Sequence, residues 1–248
     1  YYSYGNVILT GTHSTMSEAA TVFSNTLQSP GRTSFLTVGN VGEPSSLGAG
    51  PRIEYGEKGG VFRYLGSGAT TDRMVSMRYG VQGPAEFDGG PNGGLTFTGG
   101  WDAYGSKVYA NVGMSEIVLS GENENACVIA GCLQGYRESN PSSGLVHTGS
   151  VHVVKRGDGE WDLLCRTNLT HTATTVEAGE LSVATLTERG DASSLGNASD
   201  PMEAYCGEYS KEHAVDWALT LGGNGTTGTL SVAEGEGNGI LSTTRLLR

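Results

Sequence analysis

The stretch from Asn125 to Arg166 decides the fold that the sequence predicts: NACVIAGCLQGYRESNPSSGLVHTGSVHVVKRGDGEWDLLCR. Its apolar run 126–133 is typical of a strand buried on both faces, because polar residues are missing from either parity. A polar break follows at 137–144, where Asn-Pro and Ser-Gly end any regular element. The chain resumes as the β-branched segment 145–156, turns at 157–159 and returns as 160–166, which predicts a β-hairpin.

Most of the remaining chain also predicts short strands, because apolar residues recur with period two. Segments 52–55 and 61–65 are expected to pair across the glycine-rich turn 56–60, and 74–82 alternates as a half-buried strand. One helix is predicted, because Thr15 and Glu18 form a capping box ahead of a single apolar face. That face carries Met16, Ala20, Phe23 and Leu27. No fixed-period repeat is evident, and roughly ten to twelve strands indicate a sandwich or a barrel.

Composition excludes several functional classes. The 248 residues include 40 glycines and 37% hydrophobic residues, which favours a folded chain with many turns. A net charge of -11 makes direct binding of phosphate backbones by this segment unfavourable. No apolar run approaches the ~20 residues that span a bilayer, so no membrane span is predicted.

The cysteines and the glycine-rich segment 87–94 are interpreted as structural features, not as functional sites. Cys127, Cys132, Cys165 and Cys206 are too scattered for a disulfide framework and are predicted to be four reduced, packed thiols. Segment 87–94 predicts a surface loop; the alternative is a cation site at Asp88 and Asn92, although their spacing does not match a calcium loop. Three glycosylation sequons begin at Asn168, Asn197 and Asn224.

The sequence contains no recognised catalytic motif, so it predicts no enzyme and no catalytic residues. Gly223–Gly228 matches a dinucleotide fingerprint, but a strand rather than a helix is expected to follow. His147 and His152 are predicted to lie on one strand with opposite parity, which prevents them from sharing a metal ion. Two Arg-Gly-Asp triplets, 156–158 and 189–191, are interpreted as turns.

Three segments of the second half, taken in order, resemble the shell of nodavirus-like small icosahedral capsid proteins. They are a buried strand, polar break and Thr148-Gly-Ser-Val-His-Val-Val-Lys155 within 125–156; Glu203-Ala-Tyr-Cys-Gly-Glu-Tyr209 with Asp216-Trp-Ala-Leu219; and the closing segment 230–241. The resemblance spans roughly residues 125–248 and rests on the order and spacing of these segments.

This resemblance implies an all-β jelly-roll β-sandwich with long loops and one short helix near the N-terminus. It implies a single shell domain over 1–248, with an inserted or projecting loop around 83–106. The implied function is a capsid protein that self-assembles from many copies into an icosahedral virion. Genomic nucleic acid would be bound through a basic arm upstream of Tyr1, and calcium could bridge subunit interfaces, although no motif locates it. Asn197-Ala198 offers residues suited to the self-cleavage of some such families, but that activity is not carried over, because at least three predicted strands follow.

Two alternatives come from other classes. The first is a secreted or virion-attached carbohydrate-binding β-sandwich module that stacks sugars on Trp101, Tyr104 and Tyr109. The second is an enzyme built from scattered Asp and Glu, as in glycosidases, for which exposed paired carboxylates in a groove would be the sign.

Overall fold

In the part of the chain that the computed structural model describes, the regular elements are short β-strands. The described residues are 5–22, 31–56, 58–77, 83–103, 115–135, 137–139, 146–148, 150–168, 171–187, 193–196, 218–223, 225–232 and 246–247. Within these residues the chain forms 22 β-strands.

The strands form three long sheets and one small hairpin. Sheet I has nine strands: β1 (Asn6–Leu9), β3 (Arg32–Phe35), β5 (Gly60–Tyr64), β8 (Ala85–Asp88), β11 (Ser115–Ser120), β16 (Ser150–Lys155), β18 (His171–Val176), β20 (Ala218–Leu221) and β22 (Leu246–Leu247). Sheet II has six: β6 (Ala69–Thr71), β9 (Leu95–Phe97), β12 (Cys127–Ile129), β17 (Glu160–Leu163), β19 (Gly179–Val183) and β21 (Gly228–Val232). Sheet III has five: β2 (Ala20–Val22), β4 (Arg52–Tyr55), β7 (Met74–Met77), β10 (Trp101–Ala103) and β13 (Leu133–Gly135). The hairpin joins β14 (Arg137–Ser139) and β15 (Val146–Thr148).

Within sheets I to III every neighbouring pair of strands runs parallel. From β5 to β13 the chain visits sheets I, II and III in that order, three times in succession. Each circuit therefore stacks its strands on those of the circuit before, about 4.8 Å away. This arrangement is a parallel β-helix, a solenoid whose side chains alternate between an enclosed core and an outer face.

The predicted jelly-roll sandwich is therefore wrong, although the all-β class holds. Segment 160–163 does not fold back on 150–155, because the two lie in sheets II and I and each pairs with parallel neighbours. Segments 52–55 and 60–64 likewise lie in different sheets. A glycine turn between two alternating segments fits a hairpin and a β-helix corner equally well, since periodicity reports which side chains are buried and not which strands pair.

The predicted N-terminal helix is also wrong where the structure describes it. Ala20 and Val22 belong to strand β2, both are buried, and the strand pairs with β4. Two β-branched residues, Thr21 and Val22, favour this extended state, and the packing of both inward side chains outweighs the local capping signal. No helix occurs among the described residues, and so none that is long and apolar enough to cross a bilayer. Residues 23–30 lie outside them.

Aromatic rings fill the core where the three sheets meet. Phe62 and Phe87 occupy the same inward position on adjacent strands and stack with centroids 6.1 Å apart. Phe87 also contacts rings from both other sheets, including Phe97 at 4.7 Å and Trp101 at 6.0 Å. Stacking one residue above another is what in-register parallel pairing imposes, so this core is continuous along the solenoid axis.

The predicted surface loop at 87–94 is largely a tight corner of the solenoid. Asp88 ends β8, and its Oδ1 accepts a hydrogen bond from the Gly90 amide at 2.8 Å. Gly90 has a φ of 67°, and a Cβ there would lie 1.8 Å from the Tyr64 carbonyl of the preceding circuit. Only glycine satisfies both constraints, which explains why glycine is abundant at the corners. Of the predicted inserted region 83–106, residues 85–88, 95–97 and 101–103 form β8, β9 and β10, and 104–106 lie outside the described part.

One sequence pattern occurs twice, at 37–48 and 185–196. It consists of a Thr at position i and Ser-Ser-Leu-Gly at positions i+8 to i+11. In each copy the Thr and the second Ser bond each other's amides; the distances from the Thr amide to the Ser hydroxyl are 3.0 Å in both. Leu47 and Leu195 are both buried by this turn. The repeat of the solenoid itself is hidden in the sequence, because successive sheet I strands begin at irregular positions, such as 150, 171 and 218.

The prediction of four reduced thiols is wrong, because Cys132 and Cys165 form a disulfide across a sequence separation of 33 residues. Cys132 precedes β13 and Cys165 follows β17, so the bond ties one circuit to the next. Their spacing carries no signal in the sequence, because the two cysteines become neighbours only through stacking. Cys127 is a free buried thiol, and Cys206 lies outside the described residues.

Removing this disulfide should lower the free energy of unfolding by about 3–4 kcal/mol, because a cross-link of this span restricts the unfolded chain. The test is chemical denaturation of the oxidised protein and of a variant carrying both Cys132→Ser and Cys165→Ser. Reductant should shift the midpoint of the first and leave the second unchanged. Equal midpoints for the oxidised protein and the double variant would contradict the prediction.

Candidate functional site

The candidate site lies on the outer face of sheet I, where five charged or hydroxyl side chains from β11, β16 and β18 and their C-terminal ends approach one another. We call it the outer charged cluster and define it as Glu116, His152, Arg156, Thr175 and Glu177. In each strand these residues have the opposite parity to the core residues, such as Ile117, Val153 and Val176, and therefore point outward.

His152 lies at the centre of the cluster. Its Nε2 is 2.9 Å from Thr175 Oγ1, which is hydrogen-bond distance, and its Nδ1 is 3.6 Å from Glu116 Oε2. The His152 and Glu116 side chains are 26% and 33% exposed, so both are accessible to a ligand. The interaction with His152 lowers the pKa of Glu116 despite the opposing effect of burial, and Arg156 lowers it further. Glu116 therefore carries its negative charge at neutral pH.

Arg156 connects the two ends of the cluster. Its Nε donates to Glu177 Oε2 at 2.8 Å, and its Nη2 lies 3.8 Å from Glu116 Oε1. Carboxylates on both sides fix the orientation of the guanidinium plane, whereas the guanidinium of an isolated surface arginine can rotate.

The floor of the cluster is apolar. Val118 and Val154 lie on the same outer face of sheet I, yet they are only 0% and 1% exposed. A sealed apolar floor lowers the local dielectric and strengthens the interactions of the charged groups around it.

A second acidic group lies on the outer face of sheet II at Glu160, Asp162 and Glu180. Burial and the neighbouring Glu160 raise the pKa of Asp162 to about 6. Among the described residues no group of histidine, cysteine, aspartate or glutamate has the geometry to hold a metal ion.

An open cavity of about 400 Å³ lies at a corner between sheets I and II. It is lined by residues 36–38 and 64–69 with Asn92, and none of them is an acid, a histidine, a lysine or an arginine. The outer charged cluster lies elsewhere, so the cavity offers shape without reactive groups.

The residues singled out in the sequence do not converge on a site. Trp101 is buried, and Tyr104 and Tyr109 lie outside the described residues, so no sugar-stacking platform is seen within the described part. Asp88 pairs with Arg63 at 3.4 Å, whereas Asn92 donates to the Gly66 carbonyl. His147 lies on β15 and His152 on β16, and not on one strand.

The other singled-out positions fall into structural roles or outside the described residues. Asn168 is 1% exposed and its Nδ2 donates to the Ser194 carbonyl at 2.6 Å, so this sequon cannot carry a glycan in the folded chain. Asn197, Asn224 and the triplet 189–191 lie outside the described residues. Gly157 of the other triplet forms a corner with a φ of 72°, and Gly228 begins strand β21.

Sequence reasoning missed the cluster because its members come from three separate stretches of the chain, at 116, 152–156 and 175–177, which meet only through parallel register. Strand alternation does place Glu116 and His152 on outward positions. The lateral pairing of Glu116 with His152 follows from the observed register of β11 and β16, which no local pattern reveals.

Comparison with family models, with curated proteins and with solved structures finds no match to this chain.

Proposed function

We propose that the chain is a β-helical module of an extracellular or virion-attached protein, and that it binds neutral glycans at the outer charged cluster. The single observation that carries this proposal is the cluster itself: Glu116, Arg156 and Glu177 are locked together on an open face beside His152 and Thr175. Sugars present adjacent hydroxyl groups, and planar carboxylate and guanidinium groups can each bond two of them.

Charge favours a neutral partner. Arg156 is already paired with two carboxylates, and the whole chain carries a net charge of -11. A sulfated or uronic-acid polymer would meet net repulsion at this surface. A neutral oligosaccharide meets none and can use donors and acceptors alike.

The disulfide supports a location outside the reducing cytosol. Cys132 and Cys165 are bonded, and structural disulfides persist in secreted proteins and on virion surfaces. The capsid function and the virion location implied by the resemblance remain predictions. The jelly roll that accompanied them is wrong, and nothing else in the described fold favours a shell.

The proposal is tested by titrating the oxidised protein with panels of neutral and acidic oligosaccharides in a calorimeter. The Arg156→Gln variant should bind a neutral ligand at least roughly tenfold more weakly, because a hydrogen bond to a charged group is worth about 1.5–3 kcal/mol. Arg166→Gln removes the same charge from an exposed corner outside the cluster and should bind like the parent protein.

Two results would count against a glycan-binding role. The first is no binding by any neutral oligosaccharide at millimolar concentration. The second is equal weakening by the Arg156 and Arg166 variants, which would show that only overall charge matters and not the cluster.

A further inference from the structure

Within the cluster, three side chains stand in the order carboxylate, imidazole, hydroxyl. Glu116 faces His152 Nδ1 at 3.6 Å, and His152 Nε2 contacts Thr175 Oγ1 at 2.9 Å. The three residues lie on adjacent strands β11, β16 and β18, so the stacking of the solenoid holds them in place. A nucleophile in contact with a base, which a third group in turn orients, is the arrangement that activates hydroxyl groups for acyl transfer.

We propose that Thr175 and His152 hydrolyse O-acetyl esters carried by the bound glycan, a substrate assignment that rests on the proposed function. Thr175 is the nucleophile, His152 is the general base and acid, and Glu116 is a positioning residue. The sequence predicts no enzyme because the three residues share no local motif.

The reaction balances without any co-reactant except water. Thr175 Oγ1 attacks the acetyl carbon while its proton moves to His152 Nε2. The bond from the acetyl carbon to the sugar oxygen then breaks as the imidazolium returns that proton to the sugar. Water loses one proton to His152 and attacks the acetyl-threonine. The carbon to Oγ1 bond breaks as His152 returns that proton to Thr175, and acetic acid leaves and ionises to acetate and a solvent proton.

Arg156 supplies the positive charge that the tetrahedral intermediate needs. Its Nε and Nη2 face Glu177 and Glu116. The oxyanion is assigned to this guanidinium because it is the cationic group of the cluster, beside the apolar floor of Val118 and Val154.

The first experiment measures hydrolysis of p-nitrophenyl acetate, a small ester that does not require glycan binding. The parent protein should exceed the buffer rate, and Thr175→Ala and His152→Gln should each lose about 10²–10⁴-fold in kcat/KM. Thr220→Ala is the matched control, because Thr220 pairs laterally with Thr175 on the same face and is not part of the cluster. Thr175→Ser should retain activity, and circular dichroism should show that every variant folds.

Two further measurements separate a chemical role from a structural one. Acid quenching followed by peptide mass spectrometry should find acetyl on Thr175 in the parent protein and on the introduced serine hydroxyl in the Thr175→Ser variant. Glu116→Gln should lower kcat while leaving KM for p-nitrophenyl acetate unchanged, since it orients the base and does not contact this substrate.

The outcomes distinguish this inference from glycan binding. A parent rate no faster than buffer, or a Thr175→Ala variant as fast as the parent, overturns the esterase even if glycans bind. If the small ester is cleaved through Thr175 but no O-acetylated neutral oligosaccharide of the panel is bound or deacetylated, the hydrolytic residues stand and the glycan assignment falls.

Discussion

Replacing Phe87 by alanine is expected to lower the free energy of unfolding by about 3–5 kcal/mol, the usual loss when a large core side chain leaves a cavity. Phe87 is fully buried and touches rings from all three sheets, among them Phe62, Trp101 and Trp161. The void would open in the middle of the core, between the three sheets. No neighbouring side chain could fill it without shifting the register of its strand against the circuits on either side.

Chemical denaturation followed by far-ultraviolet circular dichroism measures this change. Phe87→Leu should lose less than half as much, because it retains most of the buried volume. Leu164→Ala is the control, since Leu164 is 40% exposed and its truncation creates no cavity. If Phe87→Ala and Leu164→Ala unfold at the same denaturant concentration, the aromatic cluster is not what holds the three sheets together.

The inward positions of the core strands were predictable from the sequence, but the pairing of the strands was not. Alternation correctly assigns Val75 and Met77 of segment 74–82 to the core, and the strand predicted at 52–55 is observed. It cannot distinguish Gly157–Gly159 as a hairpin turn from the same residues as a corner between two sheets, since both need glycine at positive φ. The irregular length of the circuits removes the periodic signal that usually marks a solenoid.

The candidate site was unpredictable for a related reason. In a parallel stack, lateral neighbours are one whole circuit apart in sequence, so Glu116, His152 and Thr175 meet only once the register is known. The disulfide between Cys132 and Cys165 was missed on the same ground. The composition does not discriminate between the two folds, because many glycines and outward polar residues are compatible with both a sandwich and a solenoid.

Lys155 is a charged residue that this fold buries completely. It lies at an inward position at the end of β16, in register with Leu119 and Val176, and is fully buried. Its Nζ donates to the carbonyls of Arg156, Gly157 and Ala178 at 2.7–3.1 Å, so the corner satisfies the ammonium without a bonded carboxylate. Burial lowers the pKa of Lys155 to about 8, because the charged form is less well solvated inside the fold than in water.

Arg73 is the second position where a single change should have a large effect, and Arg73→Met is expected to cost about 3–5 kcal/mol. The side chain is fully buried between β6 and β7. Its Nη2 donates to the carbonyls of Gly48 at 2.6 Å and Glu43 at 3.1 Å, and its Nη1 to that of Leu47 at 3.4 Å. Burial lowers the pKa of Arg73, while the charges of Asp72 and Glu43 oppose this, and the guanidinium stays protonated at neutral pH.

Methionine fills a similar volume but removes the arginine donor from the Glu43 and Leu47 carbonyls, while the Gly48 carbonyl keeps only the Ser45 hydroxyl at 2.7 Å. Buried acceptors that lose a donor are costly. The loop 37–48 should therefore open first, exposing Leu47 before the rest of the solenoid unfolds. Hydrogen exchange should show lost protection at the amides of Gly42 and Gly48, which bond the Ala49 and Ser45 carbonyls. The sister loop 185–196, held by Asn168 instead of an arginine, serves as the internal control and should keep its protection.

Arg166→Met, at an exposed corner, should change stability by less than about 0.5 kcal/mol. A small effect of Arg73→Met on unfolding would mean that the desolvation of the guanidinium offsets its hydrogen bonds, as happens for some buried charges. Unchanged exchange at Gly42 and Gly48 would go further, because it would show that the Ser-Ser-Leu-Gly turn holds itself closed and that the arginine follows the loop instead of fixing it.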